Sequence, residues 1–167
     1  MNKSSELRDI INKYHPACIA FQETYLKTDK QNIRRYKIFS KHHIQNRASG
    51  GAAILAASDT PSMPLNLNTN LQAVAIRIHM QYLVTICSFY LPPPNEQVSH
   101  SVLNNLISQF PSPFIILGNL NGRSSFWSSS DSNSRSRQIE QFLADNNLCL
   151  LNSDEKNQFT NTNFPFS

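Results

Sequence analysis

Charge is scarce in this chain. Charged residues fill 16% of its 167 positions, below the roughly 25% usual in globular domains. Long apolar runs are missing too: none approaches the roughly 18 residues of a membrane helix. Met1 to Leu7 lacks the apolar stretch of a secretory signal. Cysteine is limited to Cys18, Cys87 and Cys149. They are odd in number, widely spaced and each set in an apolar run, with no metal-ligand spacing among them. They are expected to be reduced, buried thiols of an intracellular protein. Membrane, disulfide-framework and zinc-finger classes are excluded.

Polarity comes instead from 21 serines and 19 asparagines. With 40% hydrophobic and 10% aromatic residues, the chain can build a core and is not of disordered composition. Its length suits one domain, residues 1–167. No internal repeat is present. Lys and Arg number 15 against 11 Asp and Glu, a net +4, which permits a polyanionic partner without demanding one. The groups Arg34–Arg35–Lys37–Lys41–Arg47 and Arg123–Arg135–Arg137 read, on charge alone, as solvated surface. No compact basic localisation run is visible.

Leu7, Ile10, Ile11 and Tyr14 stand at helical spacing, with Ser4 or Ser5 as N-cap and Pro16 as terminator. Ala17 to Phe21 is continuously apolar, as in a strand covered on both faces. Four strand-like segments follow, Tyr36–Ser40, Ala52–Ala57, Leu71–His79 and Tyr82–Tyr90. Helix-length connections are missing between them, which predicts an antiparallel meander. Pro92-Pro93-Pro94 closes that section. Val98, Val102, Leu106 and Phe110 return to helical spacing. Pro113–Gly118 is then a buried strand, Arg135–Asn146 a helix and Leu148–Leu151 a last strand. The Ser-rich stretch from Ser124 to Arg137 reads as a mobile loop. The order predicts a layered α/β-sandwich, two packed mixed sheets flanked by helices.

In layered α/β proteins functional residues collect beyond the carboxyl ends of strands, and three exits qualify. Gln22-Glu23-Thr24 puts a carboxylate directly after an apolar strand, though a lone one is more often a cap or an ion-pair member. Ser88 to Pro93 sets Tyr90 between a strand and a proline turn. Leu117 to Gly122 holds Asn119 and Asn121, which by themselves signal only a turn.

Taken in order, Phe21-Gln22-Glu23-Thr24, Gly50-Gly51-Ala52-Ala53-Ile54-Leu55, Phe89-Tyr90-Leu91-Pro92-Pro93 and Gly118-Asn119-Leu120-Asn121 resemble the endonuclease/exonuclease/phosphatase superfamily. The resemblance is strongest to the endonuclease domain of non-LTR retrotransposons (jockey- or LINE-like), and Leu150-Leu151-Asn152 with Thr160 continues it. It implies metal-dependent phosphodiester hydrolysis that nicks DNA. It further implies Glu23 as ligand of Mg²⁺ or Mn²⁺, Tyr90 beside the scissile phosphate, and Asn119 and Asn121 acting on the attacking water and the phosphate. The chemistry is coherent: a hard carboxylate suits Mg²⁺, and in-line attack needs an oriented water and preplaced donors. DNA is the implied partner, with a reverse transcriptase domain on the same polyprotein, no membrane and a nuclear address.

The same resemblance implies a degenerate copy. The family carries Asp where Asn119 stands, and an amide cannot accept a proton. Arg123 replaces a common His. The family's first strand would precede Met1, and its Ser-Asp-His segment would follow Ser167. Loss of a general base costs about 10²–10⁴ in rate. The expectations are therefore a sandwich truncated at both ends, weakened metal binding, little or no activity, and marginal stability from exposed edges. A noncatalytic nucleic-acid-binding remnant using Arg34, Arg35, Arg47 and Arg123, or a hydrolase of another superfamily branch, are the alternatives.

Overall fold

Period-two alternation decides which way each strand of the second half faces. In a computed structural model, which describes residues 3–24, 33–41, 50–93, 98–124 and 131–151, Gln72–His79 (β5) pairs antiparallel with Leu83–Tyr90 (β6). Ile76 and Ile78 lie opposite Ile86 and Val84 on one face, and Ala73 and Ala75 lie opposite Phe89 and Cys87 on the other. Both faces of this ribbon are buried, so two cores form.

The inner core joins two sheets. The first sheet has the order β1-β3-β2, from Cys18–Gln22 (β1), Tyr36–Lys41 (β2) and Ala52–Ala57 (β3), all antiparallel. The second has the order β4-β5-β6-β7, adding Ser62–Leu65 (β4) and Phe114–Asn119 (β7), and is mixed because β7 runs parallel to β6. Ile54 and Ala56 of β3 meet Ile76, Ile78, Val84 and Ile86 between the sheets. The outer core lies between the second sheet and two helices, His100–Ser108 (α2) and Ser134–Asp145 (α3). Ala73, Ala75, Cys87 and Phe89 pack there on Leu103, Leu106, Ile107 and Phe142. This is the layered α/β-sandwich expected from the sequence.

Several details differ. The four central strands are not one meander: β2 and β3 join β1 in the first sheet, with β3 in the middle, whereas β5 and β6 join β4 and β7 in the second. Pairing followed the need to bury each apolar face, not chain order. β4 has too few large apolar residues to announce itself. The first helix, Lys3–Tyr14 (α1), begins before Ser4 and Ser5, so neither is its N-cap. β1 is half-buried throughout, because it is an edge strand and not a central one. β7 is also an edge: Ile115 and Leu117 are 37% and 39% exposed. Their partners Ile86 and Ser88 face the first sheet, which reaches no further than β1 among the described residues. Leu148 to Leu151 forms no strand; Leu148 packs against the outer core and Leu151 is 81% exposed. Asn152, Thr160 and Pro94 lie outside the described residues.

All three thiols are free, but only Cys87 is buried; Cys18 is half-buried and Cys149 is exposed. Burial pushes the Cys87 thiol up to about 12 and raises Cys18 as well.

Candidate functional site

The parallel register of β6 and β7 brings two of the predicted residues side by side, because Tyr90 is paired with Asn119. Both stand at the carboxyl ends of their strands and on the face turned toward the first sheet. The ladder continues one step further, with the Leu91 amide donating to the Asn119 carbonyl at 3.0 Å. This close approach explains Gly118. A Cβ there would collide with the Phe89 carbonyl oxygen and lie 3.0 Å from its carbonyl carbon.

Asn121 folds back onto the same exit. Its side-chain Nδ2 donates to the Leu91 carbonyl at 2.7 Å, and its backbone N–H donates to Asn119 Oδ1 at 3.0 Å. It takes φ of 51°, a left-handed conformation that Asn tolerates better than most residues. The Asn119 side chain thus has a local task in shaping the turn.

Glu23 arrives from the other sheet. Gln22, one residue earlier, donates from Nε2 to Ser88 Oγ at 3.1 Å, and Ser88 Oγ donates to the Phe21 carbonyl at 2.8 Å. Ser88 is fully buried and stands two residues before Tyr90. It therefore latches the end of β1 to the end of β6. Glu23 itself adopts φ of 52°, which costs a non-glycine residue of order 1–3 kcal/mol unless the surroundings enforce it. Thr24 does so in part, its amide reaching the Gly51 carbonyl at 3.5 Å. Gly51 has φ of +98°, and a Cβ on it would stand 2.6 Å from Thr24 Oγ1. Its amide donates to Gln72 Oε1, so the glycine turn closes over this exit. Glu23, Tyr90, Asn119 and Asn121 are all carried to one end of the sandwich.

The described basic residues do not form one surface. Arg34 and Arg35 precede Tyr36, which pairs with Ala57, whereas Gln22 and Lys41 both pair with Ala52. The arginines thus sit at the far end of the first sheet, about 17 Å away at the rise of a five-residue strand. Arg123 is exposed next to the Asn121 turn. Lys41 reaches the Thr69 carbonyl at 2.6 Å, and burial lowers its ammonium from the ordinary value. Arg47 lies outside the described residues. Arg135, read from charge as solvated, is instead 3% exposed.

Sequence reasoning missed the residues that support the Asn121 turn. The expected mobile loop ends earlier than Arg137: Asn133 is the N-cap of α3, its side chain accepting from the Ser136 amide at 3.0 Å. Asn directly before a helical pattern is the signal that could have found it. Its cooperation with Asn121 needed the tertiary structure.

Mg²⁺ commonly binds through one or two carboxylates plus substrate phosphates, keeping several waters, so a single carboxylate such as Glu23 meets the lower end of that requirement. Among the described residues no three His, Cys, Asp or Glu side chains cluster to hold a metal.

Comparisons with known proteins agree with this picture. The profile of the endonuclease–reverse transcriptase family matches residues 84–164. The RNA-directed DNA polymerase from mobile element jockey of Drosophila melanogaster is 24% identical over 157 residues, which are 91% of this chain and 17% of that protein. The chain thus spans about one sixth of that relative. The endonuclease domain of TRAS1, a telomere-specific non-LTR retrotransposon, superposes with a TM-score of 0.71 at 23% identity, covering 92% of this chain and 69% of that one. The chain shares the fold of that endonuclease domain, and the family match covers just under half of its length. No helix among the described residues is long and apolar enough to cross a membrane.

Proposed function

We propose that this domain binds a DNA phosphodiester at the end of the sandwich that carries Glu23, Tyr90, Asn119 and Asn121, and hydrolyses it slowly or not at all. The observation that carries the reading is the pairing of Tyr90 with Asn119 and the return of Asn121 onto Leu91. Neighbouring strand exits side by side support a shared binding site.

Glu23 is the residue to hold Mg²⁺ or Mn²⁺, which when bound would polarise the phosphate and stabilise its developing charge. The Tyr90 hydroxyl and the amides of Asn119 and Asn121 would orient the phosphate oxygens without adding negative charge. Deprotonating the attacking water is the weak point. Asn119 has no proton-accepting oxygen of carboxylate strength, and its Oδ1 already accepts the Asn121 amide. A missing general base lowers the rate by about 10²–10⁴.

The polymerase relative supports a reverse transcriptase on the same polyprotein as the partner, and work in the nucleus is part of the same proposal. Binding should depend only shallowly on salt. Arg123 and Lys41 are near the site, and neutralising one or two phosphates gives a log–log slope of about −1 to −2. The experiment is fluorescence anisotropy with duplex DNA across salt, together with Mg²⁺-dependent nicking of supercoiled plasmid. Saturable binding that Glu23→Ala weakens in Mg²⁺, with nicking slow or absent, supports the reading. Absence of Mg²⁺-dependent binding refutes it, and fast nicking refutes the inactivity.

A further inference from the structure

We infer that the first turn of α3 is a positioning element for this site, with Asn133 as the residue that holds the Asn121 turn in place. The inference deepens the functional reading above and rests on it for what the turn does. The clamp itself stands on geometry alone.

An N-cap needs only one side-chain bond to the helix, and Asn133 makes that bond to the Ser136 amide. Three further bonds leave the helix for the turn. The Asn133 backbone N–H donates to the Arg123 carbonyl at 3.0 Å. Its Oδ1 accepts from the Arg123 amide at 3.1 Å. Its Nδ2 donates to the Asn121 carbonyl at 3.1 Å. Asn121 is therefore held by Leu91 through its side chain, by Asn119 through its amide and by Asn133 through its carbonyl.

Arg135, two residues on, does the corresponding work on the other exit. A buried guanidinium at a helix N-terminus faces an unfavourable dipole and a desolvation cost, so its partners matter. It donates to the Pro92 carbonyl at 3.3 Å and to Gln138 Oε1 at 2.7 Å. Gln138 in turn donates to the Val98 carbonyl. One helical turn thus grips both the Asn121 loop and the chain leaving Tyr90.

The amide of Asn133 is used on both edges, as acceptor and as donor, which separates capping from clamping. Asp caps a helix as well as Asn does and can still accept from Arg123 and Ser136. It has no donor for the Asn121 carbonyl, and would set two oxygens against each other there.

The test compares wild type, Asn133→Asp and Asn133→Ser in the full chain, by thermal unfolding, by amide exchange in the native state and by DNA-induced NMR shifts in Mg²⁺. Asn133→Asp should keep the wild-type melting temperature within the range of cap exchanges. Exchange at Asn121 and Gly122 should accelerate by about fivefold or more, the effect of one lost hydrogen bond. DNA-induced shifts at Asn121 and Tyr90 should shrink while overall DNA affinity falls less. Asn133→Ser, a good cap too short to clamp, should behave alike. Wild-type exchange in both variants, or a loosened turn with unchanged DNA-induced shifts, would overturn the inference. A wild-type protein showing no shift with DNA would instead refute the functional reading and leave the exchange result to judge the clamp.

Discussion

Replacing Gly118 by alanine should cost this fold a large part of its stability. The new carbon falls on the Phe89 carbonyl oxygen, with Phe89 C at 3.0 Å and Cα at 3.5 Å. These are backbone atoms and cannot rotate away. A carbon needs at least about 3.3 Å from a carbonyl oxygen, so β7 must retreat from β6 by more than about 1 Å. Ladder bonds near 2.9–3.0 Å then exceed hydrogen-bonding range, including the Leu91–Asn119 bond at 3.0 Å. Two lost backbone bonds at about 1 kcal/mol each, with 1 kcal/mol or more of overpacking, give about 3 kcal/mol. With a urea m-value of about 1.5 kcal/mol/M, the unfolding midpoint should fall by about 2 M. Urea titration followed by tryptophan fluorescence and circular dichroism measures it. A midpoint within about 0.3 M of wild type at the same slope would show that β7 does not approach β6 as described.

Other substitutions probe the same architecture. Ser88→Ala removes the acceptor of Gln22 Nε2 and a donor to the Phe21 carbonyl, so it should destabilise by about 1–3 kcal/mol, and Gln22→Ala on that background should add little. Cys87 favours its neutral thiol in the fold, so its contribution is complete below pH 9 and is lost as pH rises toward about 12. A Cys87→Ala variant should therefore lose part of the alkaline fall in stability seen by urea titration at pH 9–11. Iodoacetamide at pH 8 should modify exposed Cys149 in the native protein and reach buried Cys87 only after urea unfolding, as peptide mapping would record. Glu23→Gly removes a left-handed non-glycine residue and should leave stability within about 1 kcal/mol of wild type, because relief of strain offsets added chain entropy. A loss above 2 kcal/mol would show that the carboxylate itself supports the fold.

The helices around Leu7–Tyr14 and Ile139–Leu143 were legible from apolar residues at helical period, whereas the stripe Val98, Val102, Leu106 and Phe110 located α2 but overran both its ends at His100 and Ser108, and Val102 lies exposed. Ile76 and Ile78 alternating with Ala75 and Arg77 likewise announced β5. The strand exits near Glu23, Tyr90 and Asn119 were legible because an apolar run ends at or just before each of them. Arg135 was misread because charge patterning cannot distinguish a solvated arginine from one whose carbonyl partners come from Pro92, 43 residues earlier. The Leu148–Leu151 segment was misread because a short apolar run satisfies a strand pattern whether or not it finds a sheet to join; only Leu148 packs on the core.

What the amino-acid order decided alone is the identity and sequence of most elements, together with the residue types at each strand exit, since these depend on local periodicity and turn chemistry. Which strands pair, which become edges, and which side chains meet across the chain were decided by tertiary structure. The Gln22–Ser88 latch spans 66 residues and the Asn121–Leu91 bond spans 30. Neither leaves a local trace, because a hydrogen bond between distant segments constrains geometry only after both sheets have buried their apolar faces.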